Sequence, residues 1–242
     1  MKMTRPTLRL AAAAAGTTMA FALAPTAGAS PTVDKPEYIV GGSQASNPSV
    51  VQLVFTQDGG QYGCTGEVIA AQWVLTARHC TEGSSRMKVY TSNSTTNPGT
   101  PVSGDRLVNS PYGDVGLVHL AKLVGVNPMP IASSYTAQRG QTGVISGYGL
   151  RANSRQSTGL FKANVTVLGS STDAYRGRAI HVQGIDGASN HGDSGGPLVI
   201  NGQIVGVCST GDTADPGSNI HAGSNYSNIT GHRAWIRQTA GV

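Results

Sequence analysis

The chain of 242 residues carries 17 lysines and arginines against 12 acids, and charged residues make up only 12% of it. Its basic residues form no cluster interleaved with aromatic residues, which argues against a nucleic-acid-binding protein. After the first 30 residues, no segment approaches the ~20 apolar residues that a membrane-spanning helix needs.

The first 29 residues have the pattern of a secretory signal peptide. Three basic residues and no acid precede an Ala-rich apolar run at Leu10–Leu23, and Ala27–Ala29 forms a small-x-small cleavage pattern. The alternative, a membrane anchor, would need a longer apolar run. The sequence therefore predicts a secreted, extracellular protein, with 30–38 left as a short leader.

The rest of the chain has the spacing of apolar runs and turn residues that is typical of an all-β protein. Short apolar runs alternate with clusters of Gly, Asn, Ser and Pro, which predicts many short strands in a sandwich or barrel. Val124–Ile131, with two prolines, separates two sets of strands, and a helix is predicted at about 231–240. The first set is Val50–Thr56, Gly63–Ala70, Trp73–Thr76, Met87–Thr91, Arg106–Ser110 and Leu117–Ala121; the second set is Gly143–Gly147, Gly159–Leu168, Ala179–Val182, Pro197–Ile200, Gln203–Cys208 and Asn225–Ile229.

Three cysteines, Cys64, Cys80 and Cys208, suit an oxidising compartment with one disulfide and one free thiol. Cys64 and Cys80 lie 16 positions apart, and closing that loop would stabilise the fold by ~3 kcal/mol. A zinc site is the alternative, but the chain has no Cys-x-x-Cys pair.

Gly192–Pro197, with the sequence Gly-Asp-Ser-Gly-Gly-Pro, precedes an apolar strand and is the strongest candidate for a nucleophile. A serine hydroxyl needs a neighbouring base and a site for the developing oxyanion. Flanking glycines let the backbone turn tightly, so the N–H groups of Gly192 and Ser194 can form an oxyanion hole worth roughly 3–4 kcal/mol per donor. The alternative is a Gly-rich turn that holds an ordinary serine.

Two upstream segments supply partners for Ser194. His79 follows the apolar strand that ends at Thr76, and Asp114 precedes another apolar strand. The chain order His, Asp, Ser belongs to one of the unrelated folds that assemble a Ser-His-Asp triad. The remaining histidines have no matching surroundings and are interpreted as structural or surface residues.

Several further motifs agree with one family. Ile39–Gly42, the segment from Cys64 to Cys80, Ser146–Gly149 and Gly192–Leu198 resemble, in this order, segments of chymotrypsin/trypsin-family serine peptidases, and the resemblance runs from Ile39 to about Gln238. It implies two six-stranded antiparallel barrels, at about 39–125 and 131–230, with a cleft between them and a C-terminal helix. It also implies a Cys64–Cys80 disulfide beside the catalytic histidine.

The resemblance implies a role for each site residue. Ser194 attacks the scissile carbonyl, His79 transfers the proton, and Asp114 orients the imidazole, so that cleavage proceeds through an acyl-enzyme. Cleavage before Ile39 would free an α-amine that pairs with Asp193. The chain is therefore expected to be a zymogen with propeptide 30–38 and peptidase domain 39–242.

The specificity pocket is predicted from the same resemblance. Trypsin-like members have an acid six residues before the nucleophile, whereas this chain has Ala188, followed by Ser189. An uncharged floor leaves a buried Lys or Arg without a partner, so cleavage after apolar or aromatic residues is expected. Gly211 would be a pocket wall, and Ser209, Thr210 and Gly211 would pair with the substrate backbone. Asp186, brought to the pocket by a shifted loop, is the trypsin-like alternative.

Other positions depart from the family pattern. Asn190 stands where a pocket cysteine is usual, Thr210 replaces a Trp, and Arg78 replaces an Ala next to His79. Tyr38, before the expected activation bond, suits an apolar pocket, which makes self-activation a hypothesis.

The sequence thus predicts a secreted serine endopeptidase that needs no metal or organic cofactor. The expected partners are protein or peptide substrates and protein protease inhibitors. The protein is expected to be a monomer. It is expected not to bind nucleic acid and, once the signal is removed, not to bind a membrane. The alternatives are an esterase on the same fold and a catalytically silent binding module.

Overall fold

A computed structural model describes residues 39–242, so the predicted signal peptide 1–29 and propeptide 30–38 lie outside the described residues. Within that range the chain forms fifteen strands, three short 3-10 helices and one α-helix. None of the helices in 39–242 has the length and apolar character needed to span a membrane. The predicted all-β class is confirmed.

The strands fall on either side of the linker that contains Val124–Ile131. Those before it are β1 (Val40–Gly41), β2 (Ser43–Gln44), β3 (Val50–Gln57), β4 (Gly60–Ala70), β5 (Trp73–Thr76), β6 (Ser85–Tyr90), β7 (Val102–Asn109) and β8 (Gly116–Leu120). Those after it are β9 (Thr142–Gly147), β10 (Phe161–Thr172), β11 (Arg178–Gly184), β12 (Gly187–Ala188), β13 (Pro197–Ile200), β14 (Gln203–Gly211) and β15 (Gly223–Asn228), followed by helix α1 (Arg233–Ala240).

The first six long strands close into a barrel in the order β3-β4-β5-β8-β7-β6. Apolar side chains that alternate along these strands fill its interior. All neighbouring pairs are antiparallel, and closure leaves no unpaired edge. The core includes Leu53, Val68, Val74, Met87 and Val118.

The second barrel has the order β11-β15-β14-β13-β9-β10 and closes through the pairing of β10 with β11. Strand β2 adds to the outer edge of β10. Strand β1 pairs separately with β12, so that Val40 lies opposite Ala188. The predicted architecture of two six-stranded antiparallel barrels is therefore confirmed.

A third apolar cluster joins the two barrels. Leu75 of the first barrel and Val207 of the second belong to it, together with Ile236 of α1. The linker is tied to both sides, since Met129 N–H donates to Val68 O at 2.8 Å and Ile204 N–H donates to Pro130 O at 2.9 Å. The surfaces that face each other between the barrels are thereby fixed, and the cleft with them.

All twelve predicted strands are present with boundaries shifted by a few residues. The three strands that were not predicted, β1, β2 and β12, have two residues each. The predicted helix is also present, but it begins at Arg233, after a 3-10 turn at Ile229–His232. Asn228 caps that turn, because its side chain accepts from Thr230 N–H at 3.1 Å.

Candidate active site

His79 lies in a 3-10 turn, Arg78–Cys80, directly after β5. Its ring Nδ1 is 2.8 Å from Asp114 Oδ2, and its backbone N–H donates to Asp114 Oδ1 at 2.9 Å. The predicted disulfide between Cys64 and Cys80 is confirmed and joins this turn to β4. Both oxygens of the acid therefore hold the histidine, one through the ring and one through the backbone.

Asp114 lies fully buried in the loop between β7 and β8. Burial alone would raise its pKa, but the hydrogen bond and charge of His79, together with a bond from Ser209 Oγ at 2.6 Å, hold that pKa below its usual value. The carboxylate is therefore ionised at neutral pH. An ionised acceptor at Nδ1 keeps the ring proton there and leaves Nε2 free to accept a proton.

Ser194 lies in the turn between β12 and β13. Its carbonyl accepts from Thr65 N–H at 2.9 Å, which fixes the turn against the first barrel. A Cβ on the neighbouring Gly195 would approach Thr65 O to 2.5 Å, and the residue has φ 79°, so both space and conformation require glycine there. Ser194 and His79 line one cavity. Within residues 39–242, the hydrogen bonds of His79 join it to Asp114 and Gln57 but not to Ser194.

The backbone N–H groups of the Ser194 turn divide into two groups. Those of Asp193, Gly195 and Gly196 donate to carbonyls within the fold at 2.8 to 3.0 Å. Within residues 39–242, those of Gly192 and Ser194 have no acceptor. Gly192 has φ 96°, a conformation that suits glycine. Two unpaired donors thus lie beside the candidate nucleophile.

Asp193 points away from the cleft into a buried site. It accepts the N–H groups of Gly149 and Asn190, both at 2.8 Å. Burial nevertheless raises its pKa to about 7, against the opposing effect of these two donors. Ile39 is buried in the core of the second barrel and has φ 41°, a strained value for a β-branched residue.

The cavity beside Ser194 has a volume of about 380 Å³. Four of the five predicted substrate-binding residues line it, namely Ser189, Ser209, Thr210 and Gly211. Ala188, predicted as its floor, is buried opposite Val40 and does not line the cavity. Asn190 and Thr213 also line the cavity, so its surface is more polar than the sequence suggested.

The free cysteine borders the same cavity. Cys208 is buried on β14, and burial raises the pKa of its thiol to about 12. Its backbone carbonyl accepts from Gly195 N–H at 2.8 Å, and its N–H donates to Gly196 O at 2.9 Å. A neutral thiol that packs behind the nucleophile turn agrees with a structural role.

Asp186, the alternative pocket anchor, points elsewhere. Its carboxylate accepts from Asn164 N–H at 2.6 Å and from the Asn164 side chain at 2.5 Å, at an exposed position. It does not line the cavity. The acidic residue that does line the cavity is Asp212, which is exposed and hydrogen-bonded to His181 at 2.8 Å.

A second cavity of about 500 Å³ lies on the other side of the Ser194 turn. His191 and Gly192 line it from the turn, and Tyr62 and Leu150 contribute apolar surface. His191 borders both cavities. Cavities therefore lie on both sides of the Ser194 turn.

The zinc alternative is tested by one cluster. Among the described residues, Cys64, His79 and Cys80 place potential ligand atoms within 4.8 Å of one another. Both sulfur atoms are joined in the disulfide and provide no thiolate, and the histidine nitrogen Nδ1 is bonded to Asp114. These residues do not fit a zinc ion.

The structure adds residues that the sequence did not suggest. Arg78 lies 4.3 Å over the ring of Tyr175, and both side chains bond to Glu82. Behind Asp114, the carboxylate of Asp173 accepts the Asp114 N–H at 2.9 Å. Tyr175 and Asp173 come from the second barrel, 59 or more positions from their partners, so no local motif could have indicated them.

Comparisons with known proteins agree with this geometry. The Trypsin family model matches residues 39–236. Trypsin I-P1 of Gallus gallus is 30% identical over 228 residues, with 83% of this chain and 88% of the relative covered. Serine protease 1 of Drosophila melanogaster is 32% identical over 220 residues, with 81% and 82% covered. In fold, the chain is similar to an HL collagenase structure, with a TM-score of 0.71, 23% identity and 83% and 98% coverage.

Proposed function

Because the chain belongs to the trypsin family of serine endopeptidases, we propose that Ser194, His79 and Asp114 are its catalytic triad. The observation that carries the proposal is the buried, ionised Asp114 bonded to Nδ1 of a histidine that shares a cavity with Ser194. That arrangement supplies a base next to a hydroxyl nucleophile, with the base oriented by a third group.

The reaction follows from these positions. Ser194 Oγ attacks the scissile carbonyl while His79 Nε2 takes its proton, and the imidazolium that forms is stabilised by Asp114. The histidine then protonates the leaving amine, which leaves an acyl-enzyme. Water repeats the sequence on the ester bond and restores the serine. No step needs a metal or an organic cofactor.

The oxyanion is stabilised by the unpaired N–H groups of Gly192 and Ser194. They are the two donors of the nucleophile turn that the fold leaves without acceptors. Each donor is worth roughly 3 kcal/mol when it bonds to the developing negative charge. The substrate backbone lies along Ser209, Thr210 and Gly211 as an added strand.

Activation requires cleavage between Tyr38 and Ile39. The new α-amine has a pKa of ~8 and is mostly charged at neutral pH. It pairs with the buried Asp193, whose carboxylate accepts two backbone N–H groups but has no positively charged partner within residues 39–242. Cleavage also removes the strained φ torsion of Ile39. The chain is thus exported with signal 1–29, remains a zymogen with propeptide 30–38, and becomes active outside the cell.

The specificity pocket accepts uncharged side chains. Asp186 is bonded to Asn164 outside the cavity, and the acid that lines the cavity, Asp212, is exposed and bonded to His181. The other polar walls carry hydroxyl groups and an amide. A buried Lys or Arg would be desolvated without a counter-charge. Cleavage after apolar or aromatic residues, Tyr38 included, therefore remains the preferred hypothesis.

The test uses protein processed to start at Ile39, a peptide library and a fluorophosphonate probe. We expect labelling of Ser194 that is lost in Ser194→Ala, together with cleavage after Tyr, Phe or Leu. Hydrolysis of simple esters without peptide cleavage would support an esterase instead, and an unlabelled Ser194 would support a silent module.

Activation is tested separately. Ser194→Ala precursor mixed with active enzyme is expected to be cut after Tyr38, and no cut there would exclude self-activation. Protein that keeps residues 30–38 is expected to be much less active than protein that begins at Ile39. Equal activity would contradict the ion pair with Asp193.

A further inference from the structure

Asp173 lies in the turn between β10 and β11 and is 93% buried, by its 7% exposure. Its Oδ1 accepts the backbone N–H groups of Tyr175 and Gly177, at 2.9 and 2.7 Å. Its Oδ2 accepts from Asp114 N–H and from Ser227 Oγ, both at 2.9 Å. Four donors from three segments therefore converge on one carboxylate.

One of these donors belongs to the proposed catalytic acid. The side chain of Asp114 holds His79, while its backbone N–H is held by Asp173. The same turn also reaches Ser209, because Ala174 N–H donates to Ser209 Oγ at 3.1 Å. The Ser209 hydroxyl in turn donates to Asp114. The turn thus fixes both the acid and a hydroxyl that bonds to it.

Two glycines make this approach possible. A Cβ on Gly113 or on Gly177 would lie 2.5 Å from Asp173 Oδ2. The Cβ on Gly177 would also lie 2.7 Å from Gly113 Cα, so the turn and the loop that carries Asp114 are in backbone contact. Any side chain at either glycine would push the two segments apart.

The turn also contacts the segment that carries the base. Tyr175 donates its hydroxyl to Glu82 Oε2 at 2.5 Å, and Arg78 packs over the Tyr175 ring and donates to Glu82 Oε1 at 2.6 Å. Arg78 immediately precedes His79. Contacts from one turn of the second barrel therefore reach Asp114 and the residue that precedes His79.

We propose that Asp173 is a positioning residue of the triad: by holding the Asp114 backbone, it keeps the Asp114 carboxylate aligned with His79 Nδ1. The inference rests on the proposed function of the triad. Asp173 touches neither Ser194 nor the cavity that would hold substrate. Its effect is geometric, and a misplacement of about 1 Å in a catalytic group can cost on the order of 100-fold in rate.

The principal variant is Asp173→Asn, which keeps the size and shape of the side chain. It replaces one carboxylate oxygen, which accepts two hydrogen bonds, with an NH₂ group that donates instead. We expect kcat for peptide cleavage to fall about 30-fold with KM within twofold, and the labelling of Ser194 by a fluorophosphonate to slow by the same factor. The low-field proton resonance of the His79–Asp114 bond is expected to shift or broaden.

The matched control is Asp186→Asn, which alters a carboxylate of the same barrel that also accepts a backbone N–H and a side-chain donor. It is expected to leave kcat, labelling and the resonance unchanged. A folded Asp173→Asn enzyme with kcat and labelling within twofold of the wild type would overturn the inference.

A second variant covers the case in which Asp173→Asn does not fold. Gly177→Ala keeps every charge but forces the turn away from Gly113, so kcat and the labelling rate should fall together while KM changes little. Unchanged labelling in folded Gly177→Ala protein would also contradict the positioning role. If the wild-type enzyme itself fails to label or cleave, the proposed function is wrong, which is a separate result.

Discussion

Two carboxylates of this protein, those of Asp114 and Glu67, are both inaccessible to solvent, but their pKa values are shifted in opposite directions. Asp114 accepts the N–H and ring of His79 and the hydroxyl of Ser209, and these partners hold its pKa below the usual value despite burial. Glu67, within residues 39–242, has no hydrogen-bond partner at either oxygen, and burial raises its pKa well above the usual value.

Glu67 lies on β4 where the first barrel meets the second. Thr65 and Ile69 share its face of the strand, and the one bonds to Gly192 O while the other packs in the cluster between the barrels. The contrast with Asp114 shows that hydrogen-bond donors and a neighbouring charge can offset the effect of burial on the pKa of an acid, and Glu67 has no such donor within residues 39–242. An ionised acid suits the role that we propose for Asp114 in the triad.

The largest expected effect follows from removing the charge of Asp114. In Asp114→Asn, the amide N–H faces the histidine ring and favours the wrong tautomer, so kcat should fall about 10⁴-fold. Steady-state peptide cleavage measures it. Asp105→Asn is the control, because Asp105 bonds to His119 Nδ1 at 2.6 Å away from the cleft and should not change kcat.

Next in size is the effect of Glu67→Gln on stability. Because the folded state binds the Glu67 proton more tightly than the unfolded state, the contribution of Glu67 to stability is greatest below pH ~4.3 and falls by up to about 1.4 kcal/mol per pH unit as pH rises toward the raised folded pKa. The variant lacks this loss and should be more stable than wild type at pH 7.

Urea unfolding at pH 4 and pH 7 measures the difference between the two proteins. Wild type and variant should be similar at pH 4, with kcat unchanged at pH 7. A variant that is less stable than wild type at pH 7 would mean that Glu67 is ionised and paired.

A smaller effect is expected from Ser209→Ala. The variant removes one of the three donors to Asp114, so the carboxylate should orient the imidazole of His79 less well. We expect kcat to fall about tenfold, a change of about 1.4 kcal/mol in the activation barrier. Peptide and ester substrates of matched acyl group measure it. Equal kcat values in variant and wild type would mean that the two His79 bonds suffice to orient the acid.

The smallest expected effect is that of Asp186→Asn, whose carboxylate is exposed and bonded to Asn164. The preference among Tyr, Phe, Leu, Arg and Lys before the scissile bond should remain within twofold of wild type in a peptide library. A selective loss of cleavage after Arg and Lys would restore Asp186 as the pocket anchor.

Much of the fold was predictable because each long strand carries its own pattern. Strands of four residues or more alternate apolar and polar positions, or form apolar runs bounded by Gly and Pro, and all of these were identified. The two-residue strands β1, β2 and β12 carry no such pattern. Strands β1 and β12 pair with each other, with Val40 opposite Ala188, and β2 pairs with β10, so all three depend on contacts between distant parts of the chain.

The residues of the candidate site likewise fall into those that the sequence could predict and those that it could not. His79, Asp114 and Ser194 each lie in a short segment whose composition indicates its chemistry, so all three could be proposed from the sequence. The residues that hold these segments in place could not be predicted, because they are distant in sequence. Asp173 is 59 positions from Asp114, and Tyr175 is 93 positions from Glu82. The position of Asp186 and the polar lining of the cavity likewise depend on how the loops fold.

The sequence by itself determined which groups are candidates for catalysis, because a nucleophile, a base and an acid can be proposed from residue type and from the neighbouring glycines. Local alternation and apolar runs also determined the twelve strands of four or more residues. Only the tertiary structure decided which buried acid is charged, since protonation depends on the donors that surround a carboxylate. Asp114 meets three donors and Glu67 meets none, and every one of those donors arrives from another part of the fold.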